Sequence, residues 1–143
     1  MRIGEIMSSH VQQIRSDASV SEAADMMRNF DVGVLPVVES NRVVGVITDR
    51  DIVIRSVAAG LNPEDTTVRD VMTSDVLCCS FDDDVEKAAQ IMEENQVRRL
   101  VVLNDQELVV GIVSLGDLAT RGRDEHISYE VLEKVCEPAG GSW

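Results

Sequence analysis

The chain states one pattern twice, and that repetition limits its fold more than any other feature. Val20, Ala23, Ala24, Met27 and Val32 recur 65 residues later as Val85, Ala88, Ala89, Met92 and Val97. The segment Gly45-Val-Ile-Thr48-Asp-Arg-Asp51 recurs 66 residues later as Gly111-Ile-Val-Ser114-Leu-Gly-Asp117. The offset grows by one because the turn around Asn104 to Glu107 carries an extra residue. A period this long in 143 residues means two copies of one unit rather than a solenoid. Any site the unit builds is then expected twice, near a pseudo-two-fold axis.

Each copy reads as short helix, strand, helix, strand, strand, helix. Val20, Ala23, Ala24 and Met27 fall at i, i+3, i+4 and i+7, one apolar stripe of a helix. Ser19, with Glu22 three residues on, reads as its capping box. The copy-two helix follows Asp82-Asp83-Asp84, acids suited to the positive helix end, and carries Val85, Ala88, Ala89 and Met92. Val32 to Val38 is short, apolar and rich in β-branched residues, so it predicts a buried strand. After the polar turn Glu39-Ser-Asn-Arg42, Val43 to Ile47 returns antiparallel, and copy two repeats this with Leu100 to Leu103 and Leu108 to Val113. A last helix follows each Thr/Ser-x-x-Asp, the first over Arg50 to Ala59 with Gly60 as its stop. The linker 61–66 leads to Thr67-Val-Arg-Asp70, read as the cap of the helix that opens copy two. Past Arg123 the repeat stops, and Ile127, Val131, Leu132 and Val135 predict an additional amphipathic helix. The expected organisation is repeat one over 1–61, repeat two over 62–122, and a C-terminal helix and tail over 123–143. Two strands and a helix cannot cover both faces of a sheet, so the copies are expected to fold as one intimate pair. The fold class is α/β (α+β): two β-α-β-β-α repeats plus a C-terminal helix.

Composition excludes several functions. The net charge is −13, which repels DNA phosphates and anionic membranes. Aromatics make up only 3% of the chain, too few for stacking on nucleic-acid bases. Eleven of the 13 basic residues are Arg; only Lys87 and Lys134 are Lys. No apolar run approaches the ~20 residues of a membrane helix and no signal peptide is visible, so a cytoplasmic protein is expected. Cys78, Cys79 and Cys136 are odd in number and lack CxxC spacing, so they read as small core residues. His10 and His126 show no metal-ligand or nucleophile–base spacing, and no catalytic residue or metal site is expected.

The chemistry lies in Gly-x-[Val/Ile]-[Thr/Ser]-x-x-Asp. The segment starts on a strand and ends in the first turn of a helix, where free N–H groups and a partial positive charge suit a phosphate. The Thr48 or Ser114 hydroxyl can donate to a phosphate or sugar oxygen, and the Asp51 or Asp117 carboxylate accepts from a ribose diol. The same residues equally make a plain helix cap. Both roles can hold together, and recurrence after the same glycine-containing strand favours the ligand.

The order of elements and these motifs resemble the cystathionine β-synthase (CBS) domain pair, or Bateman module, over about residues 1–122. The features that carry the resemblance are Ile6-Met7 and Val71-Met72, the Val-x-x-Ala-Ala-x-x-Met helices, Leu35-Pro36-Val37-Val38 and both Gly-x-x-[Thr/Ser]-x-x-Asp segments. With no enzyme domain attached, the chain is similar to stand-alone bacterial and archaeal CBS-pair proteins, including the hypoxic-response type, which Met92-Glu-Glu-Asn-Gln-Val-Arg-Arg99 especially resembles. The resemblance implies a non-catalytic regulatory module that binds an adenosyl ligand (AMP, ADP, ATP or S-adenosylmethionine) in clefts between the halves. Thr48 with Asp51, and Ser114 with Asp117, would hold ribose and phosphate. Ile14 and Val34 would line one base pocket, with Cys79 and Arg99 at the aligned positions. Arg98 and Arg99 would take phosphate, as a guanidinium fork does, and Arg50 would serve similarly. It also implies a homodimer and a protein partner that reads the ligand state. The alternative is a nucleotide-independent scaffold whose motifs persist as caps.

The copies differ where this matters. Gly33-Val34 stands against Arg98-Arg99, Asp49-Arg50 against Leu115-Gly116, and Pro36 against Val101. A site facing the arginines suits a charged nucleotide; the other is expected to be empty or to bind a neutral adenosyl group.

Overall fold

Two three-stranded frameworks of the same order carry the chain, and each is completed by a piece of the other repeat. The computed structural model describes residues 1–121 and 133–135. In copy one, α1 (Ile3–Ile6) is followed by β1 (Ser8–Ser9), β2 (Ile14–Arg15), α2 (Val20–Phe30), β3 (Val34–Glu39) and β4 (Arg42–Thr48). A last helix starts as α3 (Asp49–Asp51) and continues in π winding over Ile52–Val57. Copy two follows with α4 (Val68–Val71), β5 (Cys78–Ser80), α5 (Val85–Asn95), β6 (Arg99–Leu103), β7 (Val109–Ser114) and α6 (Leu115–Arg121). The expected order of elements is present in both copies, with the two-residue β1 as an unanticipated addition in copy one.

One sheet runs β2-β3-β4 and the other β1-β7-β6-β5. In each, the first strand of the repeat is parallel to the second, with Ile14 opposite Val37 and Cys79 opposite Val102. The second and third strands are antiparallel, with Val34 opposite Thr48 and Arg99 opposite Ser114. The β3–β4 turn is two residues long, Ser40 and Asn41, both at positive φ (49° and 65°), the pattern of a type I′ hairpin. In copy two the Asn104 side-chain oxygen accepts from the Gln106 and Leu108 N–H groups, which accommodates the extra residue.

The compact units are cut differently from the sequence repeats. One comprises Gln12–Val76; the other joins Met1–Val11 to the chain from Leu77 onward. The opening helix of each repeat therefore belongs to the core of the other. Ile3 and Ile6 are buried with Ala88, Met92, Leu100, Val113 and Leu118. Val68 and Val71 are buried with Val20, Ala23, Met27, Leu35 and Ile47. The residues just after these helices pair with the motif strands. Ser8 lies opposite Ile112 and Ser9 opposite Gly111, while Thr73 and Val46 exchange two backbone hydrogen bonds of 2.8 and 2.9 Å. Gly45 and Gly111 stand at these crossings. A Cβ on Gly45 would lie 2.6 Å from the Thr73 carbonyl oxygen, and one on Gly111 would lie 2.5 Å from that of Ser8.

Several local expectations are corrected. Ala24 is exposed, so the α2 core stripe is Val20, Ala23 and Met27, whereas both Ala88 and Ala89 are buried in α5. Ser19 accepts from the Glu22 N–H at 3.1 Å and so caps α2, although only this half of the box is formed. Thr67 occupies the N-cap of α4 without a side-chain cap bond, because the Asp70 N–H is taken by the Thr67 carbonyl. The strand expected from Val32 begins at Val34, since Asp31 closes α2 in the left-handed region and leaves Val32 40% exposed. The helix after Thr48 widens to i→i−5 bonding, with Ala58 N–H to Val53 and Leu61 N–H to Ser56, and ends at Val57, short of the expected Ala59; Gly60 (φ 73°) lies in the turn that follows. Of the additional C-terminal helix, 133–135 are helical and Val135 is buried; Ile127, Val131 and Leu132 lie outside the described residues, as does Cys136. Among the described residues no helix is long and apolar enough to cross a membrane.

A polar cluster ties α4 to the β3–β4 hairpin. Ser16 donates to Glu39 Oε1 at 2.7 Å, and Arg69 Nη2 donates to both Glu39 and Ser16 at 2.9 Å. The Ser16 and Arg69 hydrogen bonds hold the Glu39 carboxyl below its ordinary value of 4.5. Its stabilisation is thus full above the unfolded pKa and is lost as pH falls through the lower folded value. In urea melts against pH, Glu39→Gln is expected to be less stable than the parent at pH 7 and to lose less stability below pH 4.5. Gly111→Ala, measured by the same melts at pH 7, is expected to lose about 1–3 kcal/mol, the cost of overpacking against fixed backbone.

Candidate functional site

Each motif strand ends in the same reciprocal cap. The Thr48 backbone is extended (φ −113°, ψ 162°) at the N-cap of α3. Thr48 Oγ1 accepts from the Asp51 N–H at 3.0 Å, and Asp51 Oδ2 accepts from the Thr48 N–H at 3.0 Å. In copy two Ser114 Oγ accepts from the Asp117 N–H at 3.1 Å, and Asp117 Oδ2 accepts from the Ser114 N–H at 2.9 Å. The capping role is therefore real in both copies. It leaves each hydroxyl proton free of protein acceptors among the described residues, so Thr48 and Ser114 can cap the helix and still donate to a ligand.

The two carboxylates differ. Thr73 Oγ1 donates to Asp51 at 3.1 and 3.2 Å, Arg55 Nε lies 3.9 Å from Asp51 Oδ1, and Asp51 is only 7% exposed. Asp117 is half-buried, and among the described residues its Oδ1 has no protein partner. Copy two thus presents an acceptor oxygen that copy one has already engaged. Nothing in the sequence marked Thr73 for this role, since it reaches Asp51 from 22 residues away.

The strand register sets Val34 beside Thr48 and Arg99 beside Ser114, both half-buried. Arg98 is exposed and its carbonyl accepts from the Leu115 N–H at 2.8 Å, the counterpart of the Asp49 N–H to Gly33 bond at 2.9 Å. Arg50 is exposed in the first turn of α3. Ile14 (5% exposed) and Cys79 (7%) belong to the two cores. Each pairs three positions along the sheet from the motif end, roughly 10 Å away, so neither is set beside the helix start of its own unit.

At the opposite end of the β2–β3–β4 sheet, Arg15, Asp17, Glu39, Asn41 and Arg69 line a polar hollow of about 530 Å³. Its charges pair internally, Arg15 with Asp17 at 3.0 Å and Arg69 with Glu39 at 2.9 Å. Among the described residues no group of three His, Cys, Asp or Glu converges as a metal would require.

Residues 3–57 and 68–123 each match the family model of the CBS domain. The chain belongs to the CBS domain family. Both matches contain a complete motif cap. Along its length this CBS pair is 34% identical over 135 residues to hypoxic response protein 1 of Mycobacterium tuberculosis, covering 94% of this chain and 93% of that protein. Among solved structures it is similar to the CBS domain protein TA0289 of Thermoplasma acidophilum, with a TM-score of 0.78 and 29% identity over 94% of this chain and 75% of that one. It is also similar to the CBS domain pair of protein MJ0100, solved in complex with 5′-methylthioadenosine and S-adenosyl-L-methionine, with a TM-score of 0.72 and 28% identity over 83% and 93% of the two chains.

The vicinal cysteines take opposite faces of β5, as alternation requires. Burial raises the Cys78 thiol above its ordinary value. It pushes Cys79 up to about 12, with the Asp83 charge adding to the effect. Cys79 therefore stays protonated and unreactive at neutral pH. Alkylation of the native protein with iodoacetamide at pH 8, followed by peptide mass mapping, is expected to leave Cys79 unmodified, while the urea-unfolded chain reacts there fully.

Proposed function

We propose that this CBS pair is a non-catalytic sensor of an adenosine-containing ligand: AMP, ADP, ATP or S-adenosylmethionine. The observation that carries this reading is the doubled cap, which among the described residues keeps a free hydroxyl proton in each copy and an unpartnered carboxylate oxygen on Asp117. The adenosyl ligands of the MJ0100 pair support the ligand class. Thr48 with Asp51, and Ser114 with Asp117, hold ribose and phosphate. Val34 and Ile14, and Arg99 and Cys79 at the aligned positions, line the base pockets, and Arg98, Arg99 and Arg50 take the phosphate charge.

In this reading the repeats, 1–61 and 62–122, work as one regulatory unit in a cytoplasmic homodimer. The ligand acts by binding one arrangement of the pair more tightly than another, and a protein partner reads the difference. The π-wound stretch after Thr48 supports dimerisation, since Val53 (55%), Ile54 (51%) and Val57 (64%) are exposed.

The test is a thermal melt of the whole chain with each ligand. A ligand at 100-fold its Kd adds about 2.7 kcal/mol, a rise in Tm of roughly 5–10 °C for a chain of this size. Asp117→Ala is expected to remove the AMP-induced rise. No rise with any of the four ligands at millimolar concentration would favour a nucleotide-independent scaffold.

A further inference from the structure

The two caps share one backbone frame and differ in what stands on it. In copy one the first residue of the helix is Asp49. Its Oδ1 accepts from the Arg50 N–H at 2.9 Å, so a carboxylate already sits on a free donor of the helix start. Its Oδ2 lies 2.9 Å from where a Cβ on Gly33 would stand, so residue 33 is glycine where the carboxylate folds over it. In copy two the same two positions hold Leu115 and Arg98, joined by the equivalent backbone bond at 2.8 Å. The copy-one helix start thus carries a fixed negative charge and a spent N–H. At the matching first position of copy two Leu115 brings no charge, among the described residues no side chain takes the Gly116 N–H, and Arg99 lies in register with Ser114 beside it. Arg50 is exposed like Asp49, but only the carboxylate is anchored to the helix start.

We propose that Asp49 is a specificity determinant: it makes the Thr48–Asp51 motif reject phosphate and accept nucleosides with an uncharged or cationic 5′ group. The Ser114–Asp117 motif takes the phosphorylated ones. This rests on the adenosyl-binding reading above and narrows it: the phosphate role given there to the Thr48–Asp51 motif and Arg50 passes to the Ser114–Asp117 motif. A phosphate at the copy-one helix start meets a like charge at close range and finds one donor fewer. A thioether, a hydroxyl or a sulfonium meets no such repulsion.

Native mass spectrometry and calorimetry on the full chain, with adenosine and AMP as probes, test it. The parent is expected to bind two adenosines but one AMP at matched concentration. Asp49→Asn keeps an acceptor for the Arg50 N–H and removes the charge. It is expected to bind two AMP, with second-site AMP affinity raised on the order of tenfold, the scale of one screened like-charge contact, and adenosine affinity unchanged. Asp117→Ala is expected to keep one adenosine and lose AMP. A parent that takes two AMP as readily as two adenosines would overturn the proposal. So would Asp49→Asn with unaltered AMP binding, or Asp117→Ala that loses adenosine at both sites. A parent that binds neither probe but still binds ATP or S-adenosylmethionine overturns this proposal alone; one that binds none of these, nor ADP, overturns the adenosyl-binding reading itself.

Discussion

The structure depends on two places where backbone meets backbone with no room for a side chain. At Gly45 the strand that ends in Thr48 touches the Thr73 carbonyl, and at Gly111 the strand that ends in Ser114 touches that of Ser8. Main-chain hydrogen bonds form at both crossings, Val46 with Thr73 and β1 with β7. They hold the opening helix of each repeat on the sheet of the other, so Ile3 and Ile6 fill one core and Val68 and Val71 the other. Neither repeat has a complete core without a segment of its twin.

The same crossings position the caps. Gly45 and Gly111 each lie three residues before the capping hydroxyl, so a strand held there delivers Thr48 or Ser114 to the helix start in one geometry. Backbone satisfaction and ligand binding are not competing accounts of these residues. A hydroxyl accepts in one direction and donates in another, and a carboxylate has more acceptor capacity than one N–H uses. The cap fixes the rotamers in advance, which would lower the ordering cost of any ligand bound there.

Much of this was legible from local pattern. The helix stripes, the hairpins and both motif segments follow from spacing within one copy, and comparing the copies exposed Asp49-Arg50 and Arg98-Arg99 as the points of difference. What was missed involves partners distant in the chain. Ala24 fits the helical period as well as Ala89 does, yet it is exposed, because burial depends on what lies opposite. Thr67 has the spacing of a cap and forms no side-chain bond. Thr73 carries no local signal and reaches Asp51 from another element. The π winding after Asp51 is equally silent, since it changes hydrogen-bond register and not residue type.

By itself the sequence determined the doubled unit, its order of elements, the family and the chemical identity of the two helix starts. These are properties of period and residue type, and period is set by local geometry. Only the tertiary structure decided that each repeat lends its opening helix to the other, that Asp51 bonds Thr73 while among the described residues one Asp117 oxygen has no protein partner, and that the Asp49 carboxylate lies over Gly33. Those facts are distances between residues from separate elements, and spacing along the chain does not encode them.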